Sequence, residues 1–209
     1  MTSSVPDFSF EFFPPKTADG KEKLRSTQAK LAQLKPRFFS VTFGAGGSTR
    51  DHTFEIVTDI QQSTGIETAP HISCICSTRE NISEMLANYR NNDISHIVAL
   101  RGDMPSGMVE AGEFRYANEL VEFIREETGD HFHIEVAAYP EYHPQASSPD
   151  RDLANFKRKV VAGANSAITQ YFYNADAYFR FLERCEKAGI TIPIVPGVMP
   201  ITNYYQLAR

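Results

Sequence analysis

Three polar positions close apolar runs in this chain. Glu11 lies within Phe8-Ser9-Phe10-Glu11-Phe12-Phe13, Arg101-Gly102-Asp103 follows Ile97-Val98-Ala99-Leu100, and Gln170 stands in Ile168-Thr169-Gln170-Tyr171-Phe172. A polar group withdrawn from water costs free energy unless it is hydrogen-bonded or used, so the pattern points to a site at the mouth of a sheet. Glu11 is flanked by phenylalanines and followed by Pro14-Pro15. An apolar, partly dry pocket of that kind raises a carboxyl pKa and suits a general acid near neutral pH. A structural carboxylate that caps backbone or pairs with an arginine is the competing reading. At the second position Gly102 lets the backbone approach a ligand closely, while the charges of Arg101 and Asp103 orient it from both sides. The alternative there is an Arg-Asp salt bridge at a turn.

Weaker candidates lie elsewhere. Phe43-Gly44-Ala45-Gly46-Gly47-Ser48-Thr49 precedes a helix and offers amides to a planar ring or a phosphate, but it matches neither a P-loop nor a dinucleotide fingerprint. Asp152, Asn155 and Lys159, with Arg158 beside them, form a polar helix stripe able to hold a ribose and a pyrophosphate. A solvated helix face explains the same stripe. His71 and His143 stand in a strand run and a loop, and no histidine pair has the spacing of a metal motif. Cys74-Ile75-Cys76 on a strand would put two thiols on one face, yet without a second pair it is poor zinc spacing, and packed reduced thiols fit better. No metal is expected.

The elements that must position these residues follow from periodicity. Apolar, β-rich runs recur near residues 8–13, 38–43, 69–74, 96–102, 133–139, 166–172 and 193–199, and the segments between them read as helices. Ser77-Thr78-Arg79-Glu80 fits a capping box and Asn174 a helix start, while Gly65, Gly129, Gly163 and Gly189 sit where helices should stop. After Asp150, the residues Leu153, Phe156 and Val160 make one apolar stripe. The repeat makes a parallel α/β sheet, either a closed (β/α)8 TIM barrel or an open doubly wound sheet. The barrel is favoured, because the first strand runs into Phe13-Pro14-Pro15-Lys16 rather than a glycine fingerprint.

Composition is that of a single soluble domain over residues 1–209: 42% hydrophobic, 22% charged, formal net charge -5. There is no basic stripe for nucleic acid, no run of about 20 apolar residues for a membrane span, and no signal core at the N-terminus. A cytoplasmic protein is expected. Barrels of this type run to about 250 residues. The chain stops after its seventh strand-like run, so the eighth strand is absent and the barrel is incomplete at its C-terminus. Either the chain is a truncated fragment or a strand borrowed from another subunit covers the open edges.

Jointly, Ser9-Phe10-Glu11-Phe12-Phe13-Pro14-Pro15-Lys16, Ser40-Val41-Thr42-Phe43-Gly44-Ala45-Gly46-Gly47, Ala99-Leu100-Arg101-Gly102-Asp103, Ala137-Ala138-Tyr139-Pro140-Glu141, His143-Pro144 and Ile168-Thr169-Gln170-Tyr171-Phe172 closely resemble the methylenetetrahydrofolate reductase family. The resemblance implies an FAD-containing barrel that takes a hydride from NAD(P)H and reduces methylenetetrahydrofolate to the methyl form used in methionine synthesis. A bacterial-type enzyme without an extra domain points to NADH as donor, with NADPH the alternative. Carried over, Glu11 is the acid that opens the folate ring to an iminium ion, Asp103 lies by the flavin pyrimidine and the pterin, and Gln170 hydrogen-bonds the pterin. Thr42, His71, Arg101, Gly102, Asp103, Tyr116, Ala117, Tyr139, His143, Asp152, Asn155, Arg158 and Lys159 match the family's FAD-binding set. The partners implied are these small molecules, and the family suggests a homo-oligomer. A noncatalytic flavin-binding barrel or another flavin barrel enzyme, such as an amino-acid dehydrogenase, remains the alternative.

Overall fold

The computed structural model describes residues 7–43, 49–103 and 112–201. Strands and helices alternate along them: β1 (Phe10–Phe12), α1 (Ala18–Ala32), β2 (Phe39–Val41), α2 (Thr49–Thr64), β3 (Thr68–Ser73), α3 (Arg79–Asn91) and β4 (His96–Leu100). There follow α4 (Ala117–Thr128), β5 (His133–Ala138), α5 (Pro149–Val161), β6 (Ser166–Thr169), α6 (Ala175–Lys187) and β7 (Ile194–Val195). This is the order of a (β/α)8 barrel through its seventh strand, and no eighth strand occurs among the described residues. The chain divides into two compact units, residues 1–134 and 135–209.

In the first unit β1 pairs in parallel with β2, β2 with β3, and β3 with β4. That sequential order lacks the reversal a doubly wound sheet makes beside its first strand, which decides between the two architectures. All six residues of β3 are buried, as a parallel strand covered on both faces requires. Phe39 of β2 is fully buried and packs against Phe10 and Phe12 of β1, with ring centroids 6.3 and 5.2 Å away. Helices α2, α3 and α4 supply Ile60, Leu86 and Leu120 to the core. In the second unit β5 pairs with β6 and β6 with β7, again in parallel. There Phe156 of α5 and Phe181 of α6, both buried, bring their rings to 5.8 Å.

Local chemistry sets the helix ends. Thr17, Thr78, Ser148 and Asn174 each accept an amide hydrogen bond at the start of α1, α3, α5 and α6. The cap of α3 is thus one residue later than the box beginning at Ser77, because the Ser77 hydroxyl donates to the Ser73 carbonyl at 3.3 Å. Gly65, Gly129, Gly163 and Gly189 all take positive φ just past a helix, as expected. The cysteine expectation needs correction. Strand β3 ends at Ser73, Cys74 is buried beyond it, and Cys76 sits in a turn at φ 58°, so the two thiols do not share a strand face. Burial pushes the Cys74 thiol up to about 12 and Cys185 to about 11. No helix among the described residues is long and apolar enough to cross a membrane.

Phe39 has no room to be lost quietly. Replacing it with alanine should lower stability by about 3–5 kcal/mol through lost burial and the cavity left behind. A urea midpoint shifted by less than about 1 kcal/mol in equivalent stability would show that β2 is not packed as described.

Candidate active site

In the first unit the expected residues gather where the strands end. In β1 the side chains alternate, so Phe12 turns into the core while Glu11 points away from it. The Glu11 carboxylate lies 3.5 Å from His71 Nε2 on β3, with the Glu11 side chain 46% exposed and that of His71 8%. Glu11 is therefore half-exposed rather than enclosed, and its partner is a histidine rather than an arginine. Partial burial still raises its pKa above the ordinary carboxyl value. Thr42 follows β2 and donates its backbone N–H to the Phe12 carbonyl at 2.9 Å, tying the ends of β1 and β2 together. Behind them, His52 of α2 places Nε2 2.9 Å from the Pro15 carbonyl.

Beyond β4, the Arg101 carbonyl accepts the Ser73 hydroxyl at 2.9 Å and the Ile75 N–H at 2.9 Å. The Arg101 guanidinium folds back, with Nε donating to the Gly102 carbonyl at 3.2 Å. Gly102 has φ 81°, and a Cβ there would lie 1.9 Å from Ser73 Oγ, so a side chain would be strained and would displace the Ser73 hydroxyl. Asp103 follows as an exposed residue. Tyr116 stands at the start of α4 and is 56% exposed, Ala117 is the first helical residue, and the Tyr116 carbonyl accepts a 3.9 Å contact from Cys74 Sγ. Glu119 reaches back to the Arg115 and Tyr116 amides, fixing that helix start. The glycine-rich turn from Gly44 to Ser48 lies outside the described residues.

The second unit assembles its own group. Tyr139, just past β5, meets the His143 ring edge-on at 4.6 Å. His143 Nδ1 accepts the Gln145 N–H at 3.0 Å, so the neutral ring carries its proton on Nε2, while the His143 N–H donates to Asp152 Oδ2 at 3.1 Å. Asp152 belongs to the first turn of α5. The stripe on α5 is not a uniformly solvated face. Lys159 turns its ammonium inward to the Ala137 carbonyl at 2.5 Å and over the Phe156 ring at 5.6 Å. Burial lowers its pKa to about 8, opposed by the charge of Asp152. Arg158 stays exposed and contacts the Asn155 side chain at 3.4 Å. Gln170 lies just past β6, exposed, its N–H bound to the Ala138 carbonyl at 2.8 Å. Beside it a Cβ on Gly197 would come 2.1 Å from the Thr169 carbonyl oxygen.

Sequence reasoning missed Ser73 and Gly197. For Ser73 the signal was present, since it shares the β3 face of His71 at a spacing of two. Gly197 has no such signal, because only the approach of its backbone to Thr169 demands it.

Comparison with known proteins bears on what this site belongs to. The sequence matches the family "Methylenetetrahydrofolate reductase" over residues 1–209. A 5,10-methylenetetrahydrofolate reductase of Pectobacterium carotovorum is 49% identical over 202 residues, covering 96% of this chain and 66% of that protein. The enzyme of the same name from Escherichia coli K12 is 48% identical, covering 96% and 67%. The chain thus spans about two thirds of the length of these relatives. Among solved structures, a Clostridium thermocellum protein described as binding two copies of 5-methyl-5,6,7,8-tetrahydrofolic acid superimposes with a TM-score of 0.62 at 14% identity, over 91% of this chain and 65% of that one. That likeness speaks for the fold. The family match across the whole chain and the near-half identity to two enzymes of one name establish that this chain belongs to the methylenetetrahydrofolate reductase family.

Proposed function

We propose that the protein reduces methylenetetrahydrofolate to methyltetrahydrofolate, with electrons from NAD(P)H passing through FAD, and so supplies methyl groups for methionine synthesis. The observation that carries this reading is Glu11, a carboxyl with a raised pKa placed 3.5 Å from His71 at the ends of parallel strands. A protonated carboxyl there can donate to a folate nitrogen and make the bridging carbon electrophilic. Family membership supports the substrate class, and the Clostridium thermocellum protein of like fold, which binds 5-methyl-5,6,7,8-tetrahydrofolic acid, accords with it.

The donor set fits FAD chemically. Arg158 and Lys159 offer cationic groups for a pyrophosphate, Asp152 and Asn155 offer acceptors for ribose hydroxyls, and the Tyr139 ring offers a stacking face. Thr42, His71, Arg101, Gly102, Tyr116 and Ala117 would line the cofactor in the first unit. A lysine whose ammonium is already desolvated gives up little further hydration on meeting a phosphate. When bound, FAD would supply the two-electron chemistry that links NAD(P)H to the folate. Asp103 offers an exposed negative charge next to the Gly102 bend, suited to stabilising a cationic folate, and Gln170 offers an amide that can both donate and accept to a pterin edge. Purified protein that shows a flavin spectrum, bleaches with NADH and recovers with methylenetetrahydrofolate would support the reading. Recovery with oxygen alone would favour a barrel that binds flavin without this turnover.

Glu11→Gln keeps shape and hydrogen bonding but removes the proton. Stopped-flow measurement should find flavin reduction by NADH within about three-fold of the parent and the folate half-reaction slowed by about 10²–10⁴-fold. Equal losses in both steps would eliminate the acid role. In the parent the folate step should be fastest at low pH and decline as pH rises through the raised Glu11 pKa, since only the protonated form donates. Glu11→Gln should lose that limb of the profile. Asp103→Asn removes a negative charge that disfavours electron-rich flavin, so a redox titration should return a higher potential. An unchanged or lower potential would mean that Asp103 is not near the flavin.

A further inference from the structure

Strand β3 carries a hydroxyl at the point where its pairing with β4 runs out. The Cys74 N–H donates to the Leu100 carbonyl at 3.1 Å and the Ile75 N–H to the Arg101 carbonyl at 2.9 Å, so the ladder continues just past both strands. There the chain turns at Gly102, whose φ is 81°. The Ser73 hydroxyl donates to the same Arg101 carbonyl at 2.9 Å, which gives that oxygen two donors from one neighbouring segment. A carbonyl oxygen has two lone pairs, and engaging both fixes the plane of the peptide that joins Arg101 to Gly102. The Cys74 thiol adds only a longer contact to it, at 3.7 Å. Ser73 is itself held in place, being 8% exposed with its carbonyl accepting the Ser77 hydroxyl at 3.3 Å.

The same hydroxyl occupies the space that a side chain on residue 102 would need. A Cβ on Gly102 would lie 1.9 Å from Ser73 Oγ and 3.0 Å from Ile75 Cγ2. One oxygen therefore both fills the gap that the glycine leaves and orients the peptide leading into Asp103. Asp103 is the next residue and is exposed, so the direction of its carboxylate depends on the backbone that delivers it. Resting on the reading of Asp103 as the charge beside flavin and folate, we infer that Ser73 is a positioning residue for the reduction, acting on Asp103 through the Arg101 carbonyl without touching substrate or cofactor. Ser73 stands two residues from His71 on β3, on the same strand face, so a single strand steers both the partner of Glu11 and the approach to Asp103. A misplacement of about 1 Å at a reacting centre can cost about 10²-fold in rate, which is how a hydroxyl outside the chemistry comes to matter.

The test compares Ser73→Ala, which deletes one oxygen and leaves the Ile75 donor, with Ser73→Thr, which keeps the hydroxyl. In the flavin-loaded protein, Ser73→Ala should move the flavin potential from the parent value toward that of Asp103→Asn and slow the folate half-reaction about 10-fold. Ser73→Thr should stay close to the parent in both. In an Asp103→Asn background, Ser73→Ala should no longer move the potential, because the group it acts through has lost its charge. A hydroxyl that only supported the fold would lower stability and leave the potential alone. Hydrogen exchange gives an arm that needs no flavin: the Ile75 amide should exchange about five- to tenfold faster in Ser73→Ala, while the Phe39 amide, bound to the Glu67 carbonyl at 2.8 Å, keeps its parent rate. An unchanged Ile75 rate would overturn the clamp. A Ser73→Ala potential equal to the parent's beside a shifted Asp103→Asn would overturn this inference alone, and so would a Ser73→Thr protein that behaves like Ser73→Ala. An Asp103→Asn potential that does not move would instead remove the reading of Asp103, and this inference with it.

Discussion

The candidate site depends on one short contact, the 3.5 Å approach of the Glu11 carboxylate to His71 Nε2. Two effects act on that carboxyl in opposite directions. Partial burial disfavours its charge and raises its pKa. A doubly protonated His71 would do the reverse. Unit charges at about 4 Å attract by roughly 4 kcal/mol at an effective dielectric of about 20, and by less here because Glu11 is half-exposed. Burial is the one cause of the raised Glu11 pKa, and a charge on His71 would work against it.

The scaffold makes this contact reproducible. Glu11 and His71 stand on β1 and β3, with β2 between them, and parallel registry fixes Glu11 opposite Ser40 and Val41 opposite Pro70. The Thr42 amide locks the end of β2 to the Phe12 carbonyl. Farther along the strand ends, Ser73 clamps the Arg101 carbonyl, and the missing side chain of Gly102 allows that clamp to close. The polar residues at the strand ends are held by backbone geometry and not by long flexible side chains, as preorganised electrostatics demands.

Much of this was legible in the sequence because it rests on local rules. Seven apolar runs separated by helix signals gave seven strands, and glycines after helices took positive φ. Strand ends were overrun, however. Aromatic residues such as Tyr171 and Phe172 continue an apolar pattern after β6 has ended at Thr169, because pairing partners and not hydrophobicity terminate a strand. The same excess placed Cys74 and Cys76 on β3. Helical periodicity puts Lys159 on a polar stripe but cannot foresee that its long side chain turns to a carbonyl at the end of the preceding strand. Ser73 and Gly197 act through close backbone approach across strands, which no local pattern encodes. Family resemblance supplied the roles of Glu11, Asp103 and Gln170, whose polarity at strand ends marked a site without naming a reaction.

The account rests on Glu11 holding a proton under conditions where an ordinary glutamate has lost it. The most direct measurement is the titration of that single carboxyl by 13C NMR on glutamate-labelled protein, with Glu11→Gln identifying the resonance. The account predicts a midpoint clearly above the unperturbed glutamate value of about 4.3. A midpoint at or below that value would mean that His71 pairs with a charged carboxylate, and would contradict the assignment of Glu11 as the acid.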